Sequence, residues 1–64
     1  MDATQKLKSR IATLDDQMLH LCLDRIGGGH VDAEQRIVRA YLISEIEKRH
    51  GEDAADAAMD RIGL

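Results

Sequence analysis

Four side chains in this sequence have the chemistry to bind a metal or to cycle through redox states: His20, Cys22, His30 and His50. Structural zinc is held by thiolates and imidazoles delivered from close pairs on one face. His20 and Cys22 are two positions apart, which on a helix points them about 200° away from each other. Spacings of three or four residues are the ones that let two ligands share an ion. Cys22 falls beside Met18 and Leu21 and reads as a small core hydrophobe. A single cysteine also rules out an intrachain disulfide. His30 follows Gly27-Gly28-Gly29 and reads as a solvated loop residue. Phosphate-cradling glycine loops follow a strand and open onto a helix, whereas these glycines follow a helical segment. No nucleophile is paired with a base. No catalytic set, metal or cofactor is expected.

A second group, Lys8, Asp15 and Arg25, suggests anion contacts. Lys8 and Asp15 are seven apart and share a face of a continuous helix, while Arg25 takes a position where the apolar pattern calls for a leucine. The segment from Lys8 to Arg25 resembles the first helix of the all-helical chorismate mutases. There a basic residue, a Leu-Asp pair and a later arginine recur on an otherwise apolar helix, and the basic residues line the active site. Leu14-Asp15 and Arg25 match, with Lys8 in the place of an arginine. The resemblance implies that Lys8 and Arg25 contact an anion, in a small enzyme. It covers about a quarter of the chain. It departs at Gly27, where this helix stops and the family's helix continues to a substrate-holding lysine.

The elements that position these residues are helices. The sequence lacks proline, tryptophan and phenylalanine, shows no period-two runs, and is rich in Ala, Leu, Ile, Glu, Lys and Arg, which suit helices over strands. One all-α domain over residues 1–64 is expected. Asp2-Ala3-Thr4-Gln5 resembles a capping start, and Leu7, Ile11, Leu14, Met18 and Leu21 then recur at helical steps until the glycines. This predicts a first helix over about 3–26 and a flexible loop over 27–31. Asp32-Ala33-Glu34-Gln35 opens a second helix over about 33–50, with Ile37, Val38, Tyr41, Leu42 and Ile46 facing inward. Lys48, Arg49 and His50 complement its carbonyl end and Gly51 stops it. A short third helix over about 52–62 carries a thin stripe of Ala55, Ala58, Met59 and Ile62. The expected arrangement is an antiparallel helical hairpin plus that third helix.

On a continuous first helix a second apolar stripe, Ala12, Leu19, Leu23 and Ile26, lies about 100° round from the first. Two stripes need two neighbours, and the alanine-rich third helix covers one of them poorly. A chain of 64 residues rarely draws more than about 3–5 kcal/mol from its own core. A homodimer forming a helical bundle is therefore expected, its contact centred on Leu19, Leu23 and Ile26 with Met18 and Tyr41.

The formal charge of −3 provides no global attraction for nucleic acid. Arg36, Arg39, Lys48 and Arg49 are interleaved with Glu34, Glu45 and Glu47, the pattern of a solvated, ion-paired face. No apolar run reaches the roughly 20 residues that span a membrane, and the N-terminus lacks the order of a signal peptide, which suggests the cytoplasm. Exclusion leaves a small non-enzymatic regulatory or adaptor protein acting on another protein as a homodimer. The alternative is a nucleic-acid-associated regulator, similar in architecture to the plasmid Rop-type proteins. A chorismate-mutase-like enzyme comes third.

Overall fold

A computed structural model describes residues 3–64, so the Asp2 cap lies outside the described residues. Within them the regular structure is entirely helical, as α1 (Ala3–Thr13), α2 (Asp16–Ile26), α3 (Ala33–His50) and α4 (Glu52–Arg61).

The expected continuous helix over 3–26 is thus two helices. Asp15 sits in extended backbone at φ −77° and ψ 170°. Its carboxylate accepts a 2.8 Å hydrogen bond from the Met18 amide, satisfying one of the N–H groups that a helix start leaves orphaned. On the other side of the break, Thr13 Oγ1 donates to the Arg10 carbonyl at 2.7 Å, and the Leu14 amide closes a tight turn on Ile11 at 3.1 Å. Short polar side chains that bond to nearby backbone compete with helix continuation, and at Thr13-Leu14-Asp15 they win.

The break resets the helical phase, and the two apolar stripes are redistributed. Leu19 and Leu23, expected at a subunit contact, are 0% and 1% exposed within this one chain. They form its core with Ile11, Leu42, Ile46 and Ala58. Met18, expected at the subunit contact, and Leu21, of the first apolar stripe, are 40% and 50% exposed. Ile37 is likewise outward at 52%, while Val38 and Tyr41 pack against the core around Leu42 and Ile46.

All three other helices pack against α3. Its limits coincide with the expected ones, because its start and stop signals are both local. Asp32 accepts from the Gln35 amide at 2.8 Å, and Gly51 at φ 99° closes the other end. α4 buries Ala55 and Ala58, whose small side chains allow close approach, so it covers more of the core than an alanine-rich stripe promised. The loop after α2 is tied down as well. Arg39 Nη1 donates to the carbonyls of Gly27 and Gly29 at 2.9 and 3.2 Å. A Cβ on Gly28 would lie 2.1 Å from the Ile62 carbonyl oxygen, so this loop rests directly on the backbone beyond α4.

Candidate functional site

Where α1 runs over α3, two depressions follow one another along the pair. The first is an apolar groove of about 320 Å³ lined by Ala3, Thr4, Leu7, Glu34, Ile37 and Val38. Leu7 and Val38 are half-buried, so the exposed Ile37 continues an apolar surface instead of standing alone. Lys6 and Arg10 flank Leu7 on the α1 side, and Glu34 lies on the α3 side. The groove thus has an acid on its α3 wall, and two basic residues stand beside Leu7 in an adjoining depression on α1.

The second depression, about 460 Å³, lies between the middle of α1 and the second half of α3. Lys8, Ser9 and Ala12 line one wall and Tyr41, Ser44 and Lys48 the other, with Ile11 and Glu45 between them. The Lys8 ammonium stands 5.3 Å from the centroid of the Tyr41 ring, within cation–π range.

A charged cluster closes the end of α3 onto the α1–α2 junction. Arg49 Nε donates to Glu45 at 2.8 Å and Nη1 to Asp16 at 3.2 Å. Nη2 reaches the carbonyls of Ile11 and Ala12 at 3.4 and 3.2 Å. The His50 imidazole lies 2.9 Å from the second Asp16 oxygen, an ion pair only while the ring is protonated. Hydrogen bonds from His50 first, and then Arg49, hold the Asp16 carboxyl below its ordinary range. Glu45, followed by Asp16, raises the Arg49 guanidinium above its own. Sequence reading placed Arg49 and His50 at the helix dipole and missed this role. The usable signal was the acidic pair Asp15-Asp16 in one segment and a basic helix end in another.

The residues singled out from sequence fall in separate places. Lys8 lines the second depression. Arg25 is exposed in the last turn of α2, does not line that depression, and has no hydrogen bond or ion pair among the described residues. Asp15 caps α2 instead of sharing a face with Lys8, so the helix on which the chorismate mutase resemblance rests is interrupted at its Leu-Asp pair. The Nδ1–H of His20 donates to the Asp16 carbonyl at 2.8 Å. Cys22 is half-buried against the core and His30 is exposed. Among the described residues, no three His, Cys, Asp or Glu side chains are grouped as a metal site would require. No helix there is long and apolar enough to cross a membrane. Of the expected subunit-contact residues, Met18 is exposed, Ile26 and Tyr41 are half-buried, and Leu19 and Leu23 are enclosed. Set against known proteins, the chain matches no protein-family model, no curated protein and no solved structure.

Proposed function

We propose that this chain is a non-enzymatic interaction module that pairs with a second copy of itself through the groove between α1 and the start of α3. The observation that carries the reading is Ile37, 52% exposed on an apolar groove with Leu7 and Val38. Single exposed hydrophobics are ordinary on a protein surface, whereas contiguous apolar surface rimmed by polar groups marks a contact. Leu21 borders a depression whose other lining residues are polar or charged, Asp16, Gln17, His20, Asp24 and Arg61, and so adds to no contiguous apolar surface. The flanking charges supply the choice of partner. A two-fold axis sets the same patch of each copy against the other, bringing Lys6 and Arg10 of one chain toward Glu34 of its partner. Leu19 and Leu23 have no part in this contact, because they are spent on the chain's own core. A nucleic-acid partner is less favoured, since Arg39 and Arg49 are committed to intrachain acceptors and only part of the basic set faces outward.

The test is sedimentation equilibrium at micromolar concentration. The wild-type chain is expected at twice its 7.1 kDa mass, and Ile37→Glu at the single mass with unchanged helical circular dichroism. Glu34→Lys should weaken pairing, and adding Lys6→Glu should restore it. A wild-type protein that sediments as 7.1 kDa throughout, or an Ile37→Glu variant that still pairs, overturns the proposal.

A further inference from the structure

We infer that the second depression is a binding site for a small phosphate-bearing molecule. It goes beyond the pairing reading and draws on a later stretch of α1 and α3.

Charge is the first ground. The chain carries a net −3, yet Lys8 and Lys48 face this cleft without an ion pair among the described residues. Its one acid, Glu45, is already bound to Arg49 at 2.8 Å. The acid's charge is thus compensated from within the chain, and both lysines are left without a carboxylate partner among the described residues, Lys8 with its ammonium 5.3 Å from the Tyr41 ring centroid. Two lysines lining one cleft repel each other less once an anion lies between them.

Chemistry is the second. Ser9, Tyr41 and Ser44 line the same space, and their hydroxyls have no hydrogen-bond partner among the described residues. Lysines are mobile point charges that bind phosphate without imposing a planar, bidentate geometry. Two ammoniums with three hydroxyls match a phosphomonoester, which carries a charge of about −1.5 to −2 near neutral pH.

Shape is the third. A cleft of about 460 Å³ falls within the roughly 300–1,000 Å³ of small-molecule sites. Ala12 leaves room on the α1 wall, and the Tyr41 ring, with the Lys8 ammonium 5.3 Å from its centroid, adds apolar surface beside a positive charge.

The experiment is a ¹H–¹⁵N titration of the full chain with phenyl phosphate and with inorganic phosphate, compared with acetate at equal ionic strength. Saturable shifts from a phosphate, centred on Lys8, Ser9, Tyr41, Ser44 and Lys48, are expected. Lys8→Gln and Lys48→Gln should each weaken binding about tenfold or more, the scale of a lost charge-assisted hydrogen bond. Arg36→Gln, on the exposed surface outside the cleft, should leave it unchanged. Lys48→Gln should keep the wild-type melting temperature, and Lys8→Gln, which also loses its contact with the Tyr41 ring, should keep the wild-type helical circular dichroism, which separates lost binding from lost fold. Shifts spread evenly over all basic residues, equal shifts with acetate, no saturation with either phosphate, or full binding by folded Lys48→Gln would each overturn the inference.

Discussion

At the scale of single residues, Arg49 and Gly28 are the positions where a small change has a calculable outcome. Arg49 uses all three guanidinium nitrogens on its own chain, and one of its acceptors, Asp16, sets a pH dependence. His50 and Arg49 hold the Asp16 carboxyl below its ordinary 3.8, so the unfolded chain takes up that proton at a higher pH than the folded one. The contribution to stability is complete above the ordinary carboxylate range and is lost as pH falls through the lowered folded-state value. Thermal melts between about pH 5 and pH 2 should therefore show a shallower acid loss for Asp16→Asn than for wild type. Identical acid slopes would remove Asp16 from the account. At Gly28 an added methyl meets the Ile62 carbonyl at 2.1 Å, while at Gly29 it meets nothing within 4 Å. In urea denaturation Gly28→Ala should cost about 1–3 kcal/mol by overpacking, and Gly29→Ala should stay within about 0.5 kcal/mol of wild type.

At the scale of elements, the break between α1 and α2 determines which side chains reach the core. Asp15→Ala removes the α2 cap and should cost about 0.5–2 kcal/mol, read as a lowered urea midpoint with an unchanged slope. A neutral result would mean that the helix start is held by Arg49 and the tight turn alone. α3 was legible in the sequence to the residue, because Asp32 and Gly51 each act on the backbone within a few positions. The break was not legible. Leu14 keeps the helical spacing across it, and Asp15-Asp16 reads equally well as a solvated face or as a cap with its first-turn acid. Choosing between these requires knowing that Arg49, 33 residues beyond Asp16, arrives at the same place. The site divides the same way. Lys8 could be picked out as a candidate anion contact, but its companions Ser44 and Lys48 depend on the register of α1 against α3, which no single-helix projection contains. Arg25 was selected from a phase that the break abolishes.

At the scale of the whole molecule, α3 is the surface on which the other helices assemble. Among the described residues the enclosed side chains are Ile11, Leu19, Leu23, Leu42, Ile46, Ala55 and Ala58, a small core for an independent fold. Pairing would add to its stability by mass action. The melting temperature of wild type should then rise with protein concentration while that of Ile37→Glu stays constant, and a constant value for both would argue for a self-sufficient single chain. The Arg49 contacts also impose an order of events. The atoms it gathers lie 33 to 38 positions earlier in the chain, and Leu42 and Ile46 likewise follow the leucines they cover. A chain growing from the ribosome therefore exposes α1 and α2 with neither their junction tied nor Leu19 and Leu23 sheltered. Closure of α1 and α2 over the core therefore waits on α3 as far as residue 49.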